Sequence, residues 1–106
     1  MELTLIEQYA MLAIMRLRDN AYGISIMDEI TKRTGKSMTV GGIYTVLERL
    51  ENNGMIASRE GEATSKRGGR KKLFFSLTGH GRRALDASQN AINALRAGTA
   101  WGGLHA

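Results

Sequence analysis

The segment from Thr39 to Ile56 constrains the fold of this chain more than any other. It has apolar residues at helical spacing, preceded by a threonine and followed by Gly54 and a short apolar run. A threonine hydroxyl can accept a hydrogen bond from the free amides of a helix's first turn, and a glycine often ends a helix. The segment therefore predicts a capped amphipathic helix that runs directly into a β-strand.

This predicted helix has two unlike faces. The inward residues are Ile43, Val46, Leu47 and Leu50, and the outward ones are Gly41, Gly42, Thr45, Glu48, Arg49 and Asn52, with Tyr44 at the boundary. Two adjacent glycines cost about 1 kcal/mol each relative to alanine. A close approach of the helix N-terminus to a phosphate would offset that cost. Fraying of the first turn is the alternative explanation.

Two more helices are predicted before this one. Residues 4–17 place apolar side chains on one face, and Leu5, Leu12 and Met15 lie on other sides, which favours a second packing surface. Residues 22–34 follow a potential cap at Asp19–Asn20 and end at Gly35. The second helix, a short turn and the third helix have the order of a helix-turn-helix.

A basic hairpin is predicted after the third helix. Residues 55–62 and 71–77 read as two strands, joined by a polar loop at residues 63–70. The formal net charge is +5, and six of the fifteen lysines and arginines lie in this region: Arg59, Lys66, Arg67, Arg70, Lys71 and Lys72. A flexible basic loop suits contact with a nucleic-acid backbone or minor groove. An ordinary solvated loop is the alternative.

A last helix is predicted over residues 79–97, with Thr78 as its cap. Its seam residues, at spacings of four, three, four and three, are Gly81, Leu85, Ser88, Ile92 and Leu95. This is a heptad pattern of only about two repeats. We therefore expect it to dimerise together with the spare face of the first helix. The predicted units are residues 1–78, the helix at 79–97 and a flexible tail at 98–106.

Composition excludes several classes of protein. The chain has no cysteine, and its two histidines, His80 and His105, lie in different segments, so we expect no disulfide, metal site, cofactor or catalytic centre. The longest apolar run, residues 10–15, is too short to span a bilayer, and the first residues lack the positive region of a signal peptide. We expect a cytoplasmic protein without membrane contact.

Four segments resemble the PadR-like family of transcriptional regulators, over about residues 5–95. They are AYGISI at 21–26, GIYTVLERLE at 42–51, GMI at 54–56 and GRKKLFFSLT at 69–78. Members commonly have a proline after the cap residue and tyrosines in the last strand, where this chain has Val40 and Phe74–Phe75. The resemblance implies a mainly α fold with a small β-hairpin: a winged helix-turn-helix of three helices and a two-stranded wing, plus one C-terminal dimerisation helix.

The resemblance also implies a homodimeric repressor that places its third helix in the major groove of an inverted-repeat operator in double-stranded DNA. Together with the charge pattern, it assigns DNA contacts to Tyr22, Lys36, Thr39, Gly41, Gly42, Tyr44, Thr45, Arg49, Lys66, Arg67, Arg70 and Lys71. Dimer contacts are assigned to Leu5, Leu12, Met15, Leu85, Ser88, Ile92 and Leu95.

Two further alternatives stay open. The third helix and wing could bind another protein instead of DNA, although the wing loop has no aromatic anchor of the kind that protein interfaces favour. A small apolar or planar effector could bind near the dimer interface, lined by Met11, Met15 and Trp101. Methionine and tryptophan at such places are more often simple packing residues.

Overall fold

The structure, a computed structural model, describes residues 1–61 and 72–99. In these residues the elements are α1 (Leu5–Leu17), α2 (Gly23–Thr34), α3 (Val40–Asn52), β1 (Ile56–Glu60), β2 (Leu73–Leu77) and α4 (Gly79–Arg96). A short 3-10 turn, Arg18–Asn20, joins α1 to α2. The predicted fold class, helices with one small hairpin in the winged helix-turn-helix order, is confirmed.

Threonine hydroxyls begin three of these helices. Thr4, Thr39 and Thr78 each accept a hydrogen bond from the backbone amide three residues later, at 3.2, 2.9 and 3.0 Å. Each bond satisfies one amide that has no partner within its own helix. The predicted caps at Thr39 and Thr78 are confirmed.

The cap of α2 differs from the prediction, although the helix starts within one residue of it. Asp19 and Asn20 belong to the 3-10 turn and do not cap α2, which begins after Tyr22. The next residue, Ala21, is buried and extended, and its carbonyl accepts a hydrogen bond from the Phe75 amide at 2.7 Å. Because this contact holds Ala21 in an extended conformation against β2, α2 starts only after Tyr22.

β1 and β2 pair in antiparallel register, from Ile56 opposite Leu77 to Glu60 opposite Leu73. Both strands are shorter than predicted. Along β2, Phe75 is buried and Leu77 half-buried, whereas Leu73 is exposed at the loop end of the hairpin.

The core lies between α1, α2, α3 and the inner face of the hairpin. Its buried members include Ala10, Met11, Ile14, Ile26, Ile30, Ile43, Leu47, Leu50, Met55, Ile56, Phe75 and Leu85. The inward stripe of α3 is therefore confirmed, with Val46 half-buried at its edge. Within the described residues, no helix is long and apolar enough to cross a membrane.

α4 has two halves with different surroundings. In the first half, Gly81 and Leu85 are buried against the chain's own core. The prediction that Leu85 contacts a partner is wrong, because its side chain is only 1% exposed within its own chain. From Asn90 onward every described residue of α4 is exposed, with Leu95 at 82%.

Candidate nucleic-acid interface

The face of α3 opposite its buried stripe is polar and open. Thr45, Glu48 and Asn52 are exposed at successive turns of this face. The Thr45 hydroxyl donates to the Gly41 carbonyl at 3.0 Å, so its lone pairs remain available as acceptors. Glu48 and Asn52 make no side-chain hydrogen bond to any residue within the described ranges. The face thus offers polar side chains to an external partner.

The two glycines at the start of α3 have different surroundings. A Cβ at Gly42 would lie 3.0 Å from the Thr39 hydroxyl, so a glycine there leaves room for the cap. A Cβ at Gly41 would meet no atom of residues 1–61 or 72–99 within 4 Å. Packing within the protein therefore explains Gly42 but gives no reason for Gly41, whose backbone is open to an approaching group.

Tyr44 joins α3 to the start of α2. A Cβ at Gly23 would lie 2.5 Å from the Cζ and Oη atoms of Tyr44, so only glycine leaves space for the ring. The tyrosine is still 45% exposed, with its ring over the first turn of α2. Tyr44 was predicted to lie at the interface, but the space that Gly23 leaves for its ring is visible only in the folded chain.

A stack of two aromatic rings flanked by two cations lies between the start of α2 and the hairpin. The Lys72 ammonium is 3.9 Å from the centre of the Tyr22 ring, and that ring meets the Phe74 ring edge-on at 5.7 Å between centres. On the other side, the Arg59 guanidinium carbon is 4.9 Å from the centre of the Phe74 ring. The stack thus places one positive charge over Tyr22 and a second over Phe74.

Arg59 and Lys72 were not among the predicted site residues. Strand alternation places Lys72 and Phe74 on the same face of β2, and Arg59 is the register partner of Phe74. The alternation along the strand therefore predicts that Lys72 and Phe74 lie together. It does not predict that Arg59 joins them, because the pairing register is not visible in either strand alone.

Of the remaining predicted cations outside α3, only Lys36 lies within the described residues. Lys36 is exposed in the turn between α2 and α3, and its ammonium forms no ion pair with a residue in the described part of the chain. Four predicted contacts lie outside the described residues: Lys66, Arg67, Arg70 and Lys71.

Arg49 is held from within the protein. Its Nη1 atom lies 3.4 Å from the Glu7 Oε2 atom on α1, and Glu7 is 1% exposed. The arginine side chain remains 58% exposed. Thus Arg49 lies at the edge of the outward face nearest α1, already paired with a buried carboxylate.

An apolar groove of about 550 Å³ lies between α1 and α2, away from the outward face of α3. Its lining includes Tyr9, Leu12, Met15, Ile30, Arg16, Glu29 and Arg33. Met11 is fully buried in the core, so the prediction that it lines an effector site is wrong. Trp101, the third residue predicted for that site, lies outside the described residues.

Glu29 receives two guanidinium groups at the rim of this groove. Arg33 Nε lies 2.9 Å and Arg16 Nε 3.0 Å from the same carboxylate oxygen. The hydrogen bond from Arg33, followed by that from Arg16, holds the pKa of Glu29 below its ordinary value of 4.5. The carboxylate is therefore charged at neutral pH and links α1 to α2.

The profile of the transcriptional regulator PadR-like family matches residues 11–87. This chain belongs to the PadR-like family. The match includes α2, α3, the hairpin and the first half of α4, and so includes every element of the interface described above.

Solved structures place this PadR-like regulator among proteins of the same fold. A proposed transcriptional regulator from Thermoplasma acidophilum is 21% identical, with a TM-score of 0.72 over 87% of this chain and 82% of that one. A PadR-like transcription factor from Bacteroides fragilis is 23% identical, with a TM-score of 0.68 over 85% and 82%. At these identities the likeness shows the fold alone. The sequence matches no protein of curated function.

PadR of Bacillus subtilis, solved in complex with operator DNA, is a further structural match. It is 24% identical, with a TM-score of 0.62 over 79% of this chain and 46% of that one. This PadR-like chain thus matches less than half of that longer protein.

Many of the described site residues of this PadR-like regulator lie on two surfaces. The first is formed by the start and outward face of α3 together with Tyr22 and Tyr44, and the unpredicted cations of the stack lie beside them. The second is the groove on α1 and α2, with Leu12 and Met15 exposed. No group of three or more metal-binding side chains occurs in residues 1–61 or 72–99.

Proposed function

We propose that this PadR-like regulator is a homodimeric repressor that binds an inverted-repeat operator in duplex DNA. The observation that carries the proposal is the open polar face of α3 next to a pair of cations stacked on Tyr22 and Phe74. Duplex recognition needs both parts, because phosphate contacts position a protein and base contacts specify the sequence. A structural match, PadR of Bacillus subtilis, was solved in complex with operator DNA, which supports duplex DNA as the partner.

Phosphate contacts come from the flanks of the interface. Lys72 beside Tyr22 and Lys36 in the turn before α3 are the described cations in position for this role. From the sequence alone, we also assign phosphate contacts to Arg67 and Arg70 of the wing loop. Each phosphate neutralised contributes about 0.9 to the slope of log affinity against log salt concentration.

Base contacts come from the centre of the outward face. Thr45, Glu48 and Asn52 are exposed there, and threonine, glutamate and asparagine side chains pair with base edges in the major groove. The bare backbone at Gly41 lets the N-terminus of α3 approach a phosphate closely. Arg49 is already paired with Glu7, and we assign it no base.

The homodimer forms through the groove on α1 and α2. Leu5, Leu12 and Met15 are exposed apolar residues of α1, and Ile92 and Leu95 are exposed on the second half of α4. Seating the second half of α4 from another copy over α1 would cover both sets at once. The two copies of α3 would then lie about 34 Å apart, one turn of the double helix.

An apolar or planar effector would act at the same groove. Met15 lines it, and a compound bound there would compete with the helix of the second copy. Trp101 is the sole tryptophan, so titration of its fluorescence with a panel of such compounds reports binding. Absence of quenching across the panel would indicate a repressor without this effector class.

The first test is fluorescence anisotropy of a labelled random-sequence duplex across a range of salt concentrations. An Arg67→Ala, Arg70→Ala double variant and a Lys72→Gln variant should both bind more weakly and show shallower salt slopes. Arg96→Ala, at the far end of α4, is the matched loss of charge and should leave the slope unchanged. Absence of binding by the wild type at low salt would favour the protein-interaction alternative.

The second test separates base contacts from phosphate contacts. Thr45→Ala should change which sequences are enriched when the protein selects duplexes from a random library. Lys72→Gln should weaken binding to selected and random duplexes alike. Equal loss on both kinds of duplex for both variants would contradict this division of roles.

A further inference from the structure

Two adjacent polar residues are buried at the start of α1. Glu7 is 1% exposed and Gln8 is 6% exposed, and they are the only buried polar or charged side chains in the part of the chain that the structure describes. Burial of a charge or an amide is costly unless it gains specific partners. Both residues have such partners, and these partners lie on different helices.

Glu7 connects the cap of α1 to α3. Its Oε1 atom accepts a hydrogen bond from the Thr4 amide at 2.8 Å, which completes a capping box. Its Oε2 atom is 3.4 Å from Arg49 Nη1 on α3. One buried carboxylate therefore binds both the N-terminal cap of α1 and Arg49, at the edge of the outward face of α3.

Gln8 connects the same turn of α1 to α4. Its Oε1 atom accepts a hydrogen bond from Gln89 Nε2 at 2.9 Å, and its own Nε2 atom donates to the Leu3 carbonyl at 3.3 Å. Gln89 lies just after the buried half of α4 and just before the exposed half. Two neighbouring residues of α1 thus reach α3 on one side and α4 on the other.

We propose that Glu7 and Gln8 are positioning residues that set the orientation of α3 relative to α4. Apolar contacts are not directional and tolerate small sliding movements of a helix, whereas hydrogen bonds have a preferred geometry. In a dimer joined through α4, this orientation sets the separation of the two copies of α3. The pair therefore determines which half-site spacing the protein accepts, an inference that rests on the proposed DNA-binding function.

Arg49 acts in this arrangement through Glu7 and not through a base. Thr45, Glu48 and Asn52 lie directly opposite the buried stripe of α3, whereas Arg49 lies toward the side of Val46. If Arg49 turned to the DNA, Glu7 would remain buried without a counter-charge, which is unfavourable. Arg49 is therefore expected to keep its ion pair with Glu7 of α1 when the protein binds DNA.

A distance measurement without DNA tests the orientation directly. The chain has no cysteine, so Asn52→Cys on α3 and Asn90→Cys on α4, both exposed, accept one spin label each. Labelled protein is diluted with unlabelled protein so that only distances within one chain are measured. The glutamine in Glu7→Gln can still accept the Thr4 amide hydrogen bond, so we expect this variant to fold.

We expect one narrow distance in the otherwise wild-type chain and a broadened distribution in Glu7→Gln and in Gln8→Leu. Asp86→Asn is the matched control, because it removes an exposed ion pair with Arg82 within α4. Its distribution should stay narrow. An unchanged distribution in Glu7→Gln would overturn the proposal, whether or not the protein binds DNA.

A binding measurement then tests the consequence. On the duplex selected by the wild type, Glu7→Gln and Arg49→Gln should each lose about tenfold in affinity, and the double variant should lose no more than either. Both single variants should also accept half-sites one base pair closer or farther with less discrimination. A change in base preference in Arg49→Gln alone would show a base contact and overturn the assignment. Failure of the wild type to bind any duplex would contradict the proposed function, and the label distances would still decide the orientation.

Discussion

Gly81 is the residue at which α4 packs against the backbone of Met55. A Cβ at this position would overlap the backbone carbonyl of Met55, which cannot move aside as a flexible side chain can. Gly81→Ala should therefore lower the free energy of unfolding by about 1–3 kcal/mol, the usual cost of overpacking.

Chemical denaturation of the wild type and the variant measures this loss. Gly79→Ala is the matched control in the same turn of α4, because among the described residues its Cβ would meet just the flexible end of the Arg83 side chain, at 3.3 Å. Equal stability of the two variants would show that α4 can shift away from Met55 at little cost.

Glu29 makes the stability of the folded protein depend on pH in the acid range, and substitution of Glu29 should remove this dependence. The hydrogen bonds from Arg33 and Arg16 lower its pKa from the ordinary 4.5, so the folded state binds the proton less readily than the unfolded state. The stabilisation is full above the ordinary pKa and is lost as the pH falls through the lowered pKa.

Melting temperatures of the wild type and Glu29→Gln, measured from neutral pH into acid, check this dependence. The wild type should be more stable at neutral pH, by the small amount typical of exposed ion pairs, and the difference should shrink in acid. A constant difference at every pH would mean that the two arginines do not favour the charged form.

At the scale of the elements, α4 shows why one pattern can serve two purposes. The seam from Gly81 to Leu95 is a continuous heptad pattern, yet its first half packs on the chain's own core and its second half is exposed. Apolar spacing shows that a face is covered, but it does not show what covers it. The sequence therefore predicted the seam but not its division after Ser88.

The other elements were predictable to different degrees, according to whether local or distant contacts determine them. α1, α3 and α4 have threonine caps and clear apolar stripes, so their starts agree with the sequence within one residue. The α2 cap was mispredicted because Ala21 makes a distant hydrogen bond with Phe75, and the cation stack depends on strand register. The ion pair of Glu7 with Arg49 joins residues far apart in sequence. Such contacts have no signature in either segment alone.

The exposed half of α4 is proposed to form the dimer interface, and this can be tested by substitution. Ile92→Glu should raise the dissociation constant of the proposed dimer by about tenfold or more, since a buried interface residue would become a charge. Sedimentation over a range of concentrations measures the dissociation constant. Asn90→Glu adds the same charge on the opposite side of α4 and should leave it unchanged. A similar effect of both changes would place the interface elsewhere.

At the scale of the whole molecule, the proposed dimer has to match the helical repeat of DNA. Inserting about five base pairs between the half-sites of a selected operator rotates one of them by half a turn and should abolish simultaneous contact by both subunits. Inserting about ten should restore it in part. Footprinting of the three duplexes distinguishes these cases, and equal protection of both half-sites in all three would show that the subunits bind independently.

The burial of Leu85 also affects how this regulator can be divided for engineering. The sequence suggests a cut at residue 78, between a DNA-binding unit and a dimerisation helix. A fragment ending there would lack Gly81 and Leu85, and with them one wall of the core. A transplantable DNA-binding module made from this chain should therefore extend to about Gln89, so that only the exposed half of α4 is exchanged for another dimerisation segment.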